Sequence, residues 1–162
     1  MRVYVGTTLD RLQAFRESGR LPAPFAACAV TPALREWYAA GDTEELEYVA
    51  LQAAGAASLR LLAGDGAPPR RAVIVVEVDD AATRHTPDDS DRAAVTVTAD
   101  VLLAEVEAVH VDDAAAAATI RAAVAALADA DEGDEDARFA VDEVAGWELM
   151  WFATQELDDL LG

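Results

Sequence analysis

Residues 71–78, Arg-Ala-Val-Ile-Val-Val-Glu-Val, form the most strand-like stretch of the chain. In an extended strand, successive side chains alternate between two faces. The two odd-numbered valines then lie on one face, and Ala72, Ile74 and Val76 lie on the other. Because both faces are apolar, both must be covered, which predicts a strand in the middle of a sheet.

Further strand-like segments lie on both sides of this one. Short runs of β-branched, aromatic or alternating residues predict strands at 2–5, 25–30, 93–98 and 106–111. Residues 147–153 are ambiguous. Trp147 and Trp151 are one helical turn apart, so a single helix over residues 143–161 also fits. We favour a hairpin that turns at Ala145-Gly146, with residues 147–153 as a strand, because the segment is rich in aromatic residues and follows another apolar run at 139–141.

Helix starts between these strands are marked by capping side chains. Thr7 or Thr8 can cap the first helix, and Thr31 precedes a proline at the first position of the second. Acids at 42–45 begin the longest helix, and Asp113 caps an alanine-rich one. The mixed order of elements, with strand pairs that lack a helical crossover, predicts an α+β fold. We expect a mixed or mostly antiparallel sheet covered by helices on at least one face.

The chain of 162 residues has the length of one ordinary domain, and we expect a single α+β domain over 1–162. Two polar stretches interrupt it. Residues 79–91 contain a proline and five aspartates, which predicts a mobile loop or the tip of a hairpin. Residues 129–136, Asp-Ala-Asp-Glu-Gly-Asp-Glu-Asp, predict an acidic linker.

The formal net charge of −19 limits the classes of partner. A strongly acidic chain without a basic stripe repels phosphate backbones, so we expect neither nucleic acid nor an anionic membrane as a partner. A protein partner that is basic or has an apolar patch fits better. Cys28 is the only cysteine and cannot form an internal disulfide, which indicates a reducing compartment. With no secretory signal and no apolar run of membrane-spanning length, we expect a cytoplasmic protein.

Known catalytic motifs are missing from the sequence, including phosphate-binding loops, metal-binding pairs and a nucleophilic serine elbow. The weak catalytic candidates are His110 and Asp112, which share a face if both lie on a strand. An imidazole beside a carboxylate could act as a base or bind a divalent cation. The alternative is a solvated strand end that leads into a capped helix. We therefore expect no cofactor and no metal site, and lean against an enzyme.

Large aromatic side chains form a second set of candidates, at Trp37, Tyr38, Trp147 and Trp151. An alanine-rich domain needs bulky side chains to fill its core, so we expect Trp151 to be buried, in a strand covered on both faces. The alternative is a partner surface rimmed by acids such as Glu36 and Glu148.

Several segments together resemble a known family. They are Met1-Arg-Val-Tyr-Val, Ala29-Val-Thr-Pro-Ala-Leu-Arg-Glu-Trp-Tyr, Glu44-Glu-Leu-Glu-Tyr, His110-Val-Asp-Asp and Trp151-Phe-Ala-Thr-Gln-Glu-Leu. The chain resembles a family of uncharacterised proteins of high-GC Gram-positive bacteria, which has a domain-of-unknown-function label. The resemblance implies a cytoplasmic single-domain protein and implies no activity.

Two hypotheses for the function follow from these observations. The first is a non-catalytic protein-interaction or regulatory domain with an acidic surface. The alternative is a small enzyme with a polar site around His110 and Asp112.

Overall fold

The computed structural model describes residues 1–85 and 90–162. Its strands are Arg2–Thr7 (β1), Arg20–Leu21 (β2), Phe25–Ala29 (β3), Ala72–Glu77 (β4), Thr83–His85 (β5), Ala94–Val97 (β6), Val101–Leu102 (β7), Val106–Val111 (β8) and Met150–Ala153 (β9). Its α-helices are Leu9–Ser18 (α1), Pro32–Trp37 (α2), Thr43–Asp65 (α3), Ala117–Asp131 (α4), Glu135–Asp142 (α5) and Leu157–Leu161 (α6).

The strands form a seven-stranded antiparallel sheet in the order β5-β6-β3-β1-β4-β8-β9, and β2 pairs with β7 in a separate ladder. Strand β4 lies between β1 and β8, with pairing to β1 that runs from Glu77 opposite Arg2 to Ala72 opposite Thr7. The predicted α+β fold, antiparallel sheet and interior position of residues 72–77 are confirmed.

Helices cover both faces of the sheet. On one face, Leu12 and Phe15 of α1 and Leu157 of α6 pack in one cluster with Val5 and Ile74. On the other, α3 packs against Tyr4, Val73 and Val75 through the side chains Leu46, Ala50 and Ala54. Burial of these apolar side chains is the main favourable contribution to folding.

Helix α3 lies unusually close to the ends of β1 and β4. A Cβ placed on Gly6 would be 2.5 Å from the carbonyl oxygen of Ala54, so only glycine permits this approach. The buried Ser58 hydroxyl donates a hydrogen bond to the Thr7 carbonyl (2.6 Å) and accepts one from the Ala72 amide (3.0 Å). These contacts fix the helix across both strands.

Both of the predicted polar stretches, 79–91 and 129–136, contain regular structure. Within 79–91, Asp80–Ala82 form a 3-10 turn and β5 pairs with β6, while residues 86–89 lie outside the described residues. Of the expected linker at 129–136, only residues 132–134 connect α4 and α5, since residues 129–131 end α4 and residues 135–136 begin α5. Asp134 caps α5 by accepting a hydrogen bond from the Ala137 amide at 2.9 Å. The acids that suggested a linker are thus also those that stabilise a helix start.

Residues 139–141 lie in helix α5, so the expectation that they form the first arm of a hairpin is wrong. The strand expected at 147–153 is confirmed only for Met150–Ala153. Its expected burial is wrong, since Trp151 is 61% exposed and Met150 is 37% exposed. The reason is position: β9 is the edge strand, and α3 packs mainly on β1, β3 and β4.

In the described part of the chain, no helix has both the length and the apolar character needed to cross a membrane.

Candidate functional site

Asp112 follows strand β8 and forms a fully buried ion pair with Arg71. The Asp112 side chain is 0% exposed and the Arg71 side chain is 3% exposed. Arg71 donates from Nε to Oδ2 (2.9 Å) and from Nη2 to Oδ1 (2.8 Å), and its own amide also donates to Oδ2 (2.8 Å). This bidentate geometry is the strong form of a guanidinium–carboxylate contact.

The same guanidinium holds the segment that leads into β9. Its Nη2 donates to the carbonyl oxygens of Trp147 (3.0 Å) and Val144 (3.4 Å). The Trp147 side chain is half-buried and packs against the apolar cluster between α3 and α4. Arg71 therefore connects β4, β8 and the turn at residues 144–147. Asp112 has a structural role, because it holds the Arg71 guanidinium in this position.

His110 lies on β8, opposite Val73 on one side and Trp151 on the other. It therefore shares a sheet face with the exposed indole of the edge strand. Burial lowers the pKa of His110, and a backbone hydrogen bond with Leu149 opposes this only in part. The ring is thus neutral at physiological pH. Its Nδ1 atom is buried, and no hydrogen-bond partner for it lies in the part of the chain that the structure describes.

A groove of about 370 Å³ opens beside His110 on this face. We call it the His110 groove; its lining residues are Arg2, Tyr4, Val75, Glu107, Ala108, His110 and Trp151. Arg2 bridges two carboxylates, with Nη1 2.7 Å from Glu47 Oε2 and Nε 3.3 Å from Glu107 Oε2. The Tyr4 hydroxyl donates to Glu47 Oε2 at 3.0 Å. Burial, with this carboxylate nearby, raises the pKa of Tyr4 to about 12, so its hydroxyl remains protonated.

A second surface lies where α2 meets α3, and we call it the aromatic corner: Trp37, Tyr38, Tyr48, Glu44 and Glu45. The three aromatic side chains are all exposed, Trp37 by 61%. A groove of about 460 Å³ runs between the two tyrosines, with both glutamates and the apolar Leu46 and Val49 in its lining. The guanidinium of Arg92 lies 3.7 Å from the centre of the Trp37 ring.

The structure separates several residues that the sequence grouped together. Asp112 is paired with Arg71 rather than with His110. Among the four aromatic candidates, Trp37 and Tyr38 lie at the aromatic corner, Trp151 lies at the His110 groove, and Trp147 packs on the helices.

Sequence reasoning also missed residues at both surfaces. Tyr48 lines the groove of the aromatic corner, Tyr4 lines the His110 groove, and Glu47 accepts the hydrogen bond from Tyr4. No local sequence pattern shows that Glu47 of α3 and Tyr4 of β1, 43 residues apart, form this bond.

The lone thiol, Cys28, is buried on the α3 side of the sheet. Burial, with a smaller effect of Asp91, raises its pKa to about 12. A thiol with this pKa is almost entirely protonated at neutral pH and is a poor nucleophile.

Comparison with known proteins gives one match. The model of a family described as "Family of unknown function (DUF6912)" matches residues 1–161. No curated protein and no solved structure matches the chain.

Proposed function

We propose that this chain, which belongs to the DUF6912 family of unknown function, is a non-catalytic interaction domain that binds a basic segment of a partner protein at the aromatic corner. The observation that supports this most is the apolar groove between Tyr38 and Tyr48, which lies beside two exposed acidic residues, Glu44 and Glu45. Exposed aromatic side chains beside acids are the chemistry that recognises arginine and lysine.

Two further features favour a basic partner. The chain has a formal net charge of −19, which attracts cationic segments and speeds their association. The aromatic corner also already accommodates a guanidinium, since Arg92 of the chain stacks on Trp37. An arginine of a partner could stack on the neighbouring tyrosines in the same way.

A non-catalytic role is supported by the environment of the catalytic candidates. Among the described residues, every side-chain hydrogen bond of Asp112 comes from Arg71, and the side chain is inaccessible to solvent. It can therefore neither orient a substrate nor accept its proton.

We also propose that the protein lies in the cytoplasm of a high-GC Gram-positive bacterium. The buried single thiol and a composition with 38 alanines but no lysine or asparagine support this.

The test is binding of short peptides of equal length, some rich in arginine and lysine and some rich in aspartate and glutamate. We expect the basic peptides alone to bind, and binding to weaken at high salt because exposed charges are screened. The variants Tyr48→Ala and Tyr38→Ala, each of which removes one wall of the groove, should reduce binding about tenfold each without a change in melting temperature.

The matched control is Phe139→Ala, which removes an exposed aromatic side chain on α5. It should leave peptide binding unchanged. Equal loss of binding in all three variants, or equal binding of the acidic peptides, would show that the aromatic corner is not the binding site.

The alternative function, a small enzyme, now rests on His110 without Asp112. The observation in its favour is that a neutral imidazole and the Tyr4 hydroxyl line one groove. Turnover that is lost in both His110→Gln and Tyr4→Phe, in folded protein, would establish this function in place of the first.

A further inference from the structure

The His110 groove lies on a different part of the surface from the aromatic corner. Its floor consists of Val75 and Ala108, which face each other across β4 and β8. One wall is the indole of Trp151, which faces His110 across β8 and β9. A floor of small apolar side chains below an exposed aromatic ring is a surface on which a small organic molecule can displace water.

The two faces of the edge strand β9 are covered to different extents. The residues on its own strand that point to the other face are better covered, since Phe152 packs against the core cluster of that face. Trp151 is 61% exposed although the His110 ring beside it is half-buried. The ring face of an indole attracts cations more strongly than that of the other aromatic side chains.

The charges around the groove favour a cation. Two carboxylates, Glu47 and Glu107, share the single guanidinium of Arg2, so one negative charge is left in excess. His110 adds no positive charge while its ring is neutral. The net charge of the whole chain has the same sign.

The size of the groove favours a compact ligand. A volume of about 370 Å³ lies within the range of pockets that hold small organic molecules. The groove also ends at the Arg2–Glu47–Tyr4 network, which closes it on the β1 side.

We propose that the His110 groove binds a small organic cation, a quaternary or protonated amine, with the cationic group on the Trp151 ring and beside Glu107. This site is separate from the proposed peptide site, and each can fail without the other.

The probes are choline and its neutral carbon isostere, 3,3-dimethylbutan-1-ol, each titrated into the full chain while the indole N–H resonances are followed by NMR. We expect choline to shift the Trp151 resonance and to bind about tenfold more tightly than the alcohol, because only choline gains the cation–π attraction. Comparable binding of the two compounds would overturn the proposal, as would no binding of choline.

Three variants locate the site. Trp151→Leu should abolish choline binding, and Trp151→Phe should retain part of it, since phenylalanine is a weaker cation acceptor. Glu107→Gln should weaken binding several-fold at low salt and have little effect at high salt. Thermal melts of the three variants should match the parent, because these side chains are exposed.

Two controls separate this site from the aromatic corner and from a protein ligand. Tyr48→Ala should leave choline binding intact; choline binding that is lost there but survives Trp151→Leu would overturn the proposal. An acetylated and amidated Gly-Arg-Gly tripeptide presents a cation as a protein would. If it binds through Trp151 more tightly than choline, the ligand is a protein side chain and the small-molecule assignment is wrong.

Discussion

Trp147 and Trp151 are only four residues apart in the sequence, yet they lie in opposite environments. The carbonyl of Trp147 accepts a hydrogen bond from the buried Arg71, and its side chain packs against α3 and α4. Trp151 lies on an edge strand beyond the reach of α3, with most of its indole in solvent. The contrast shows that a large aromatic residue favours burial, but that the helices packed on its strand or turn determine whether it is buried.

The largest expected effect comes from the ion pair on the Trp147 side. Asp112→Asn leaves the guanidinium of Arg71 buried without its counter-charge, and should lower the free energy of unfolding by about 3–5 kcal/mol. Urea denaturation of the variant measures this. Arg11 and Asp65 form an exposed pair, so Asp65→Asn is the control and should lower the free energy of unfolding far less. Equal costs would mean that the buried pair holds nothing in place.

Trp147→Ala should have the next largest effect. A fully buried tryptophan costs about 3–5 kcal/mol when truncated to alanine, and Trp147 is only half-buried, so we expect about 2 kcal/mol. The measurement is again denaturant unfolding. Little change would indicate that Arg71 holds only the backbone of this turn.

The stability of the protein should depend on pH through the half-buried His110. Because the pKa of His110 is lower in the folded chain than its ordinary 6.5, the unfolded chain binds more protons between these two pKa values. Stability should therefore be complete above about pH 6.5 and fall as the pH drops below it. His110→Gln should flatten this decline, and His85→Gln, on the exposed end of β5, should not. An unchanged decline in His110→Gln would show that His110 is not its source.

Trp151→Ala should have the smallest effect on stability. Substitution of an exposed side chain on an edge strand should change the free energy of unfolding by about 0.5 kcal/mol or less. Thermal melts of Trp147→Ala and Trp151→Ala under the same conditions test the comparison directly. Similar losses in both variants would mean that Trp151 is covered in solution, for example by a second copy of the chain.

Much of the fold follows from local patterns. Thr8 and Thr31 accept hydrogen bonds from the first turns of α1 and α2, as their positions before apolar helical stripes predict. The uninterrupted apolar run at residues 72–76 also predicts, without knowledge of the neighbouring strands, that both faces of this strand are buried. These features depend on residues within a few positions of one another, so the sequence alone is enough to predict them.

The candidate sites were less accessible from sequence, because their parts are distant in the chain. Asp112 looked like the partner of His110, two residues away, but its charge is matched by Arg71, 41 residues away. Glu47 meets Arg2 and Tyr4 only because α3 crosses the sheet above β1. No local pattern encodes these pairs.

The sequence by itself determined the α+β class, the interior strand, the starts of α1, α2 and α3, and the negative net charge of the chain. The tertiary structure decided which aromatic residues are exposed, that Asp112 is structural, and that a groove forms beside His110. The physical reason is that hydrogen bonds and side-chain periodicity act along a few residues, while burial and ion pairing depend on how far a helix such as α3 extends over the sheet.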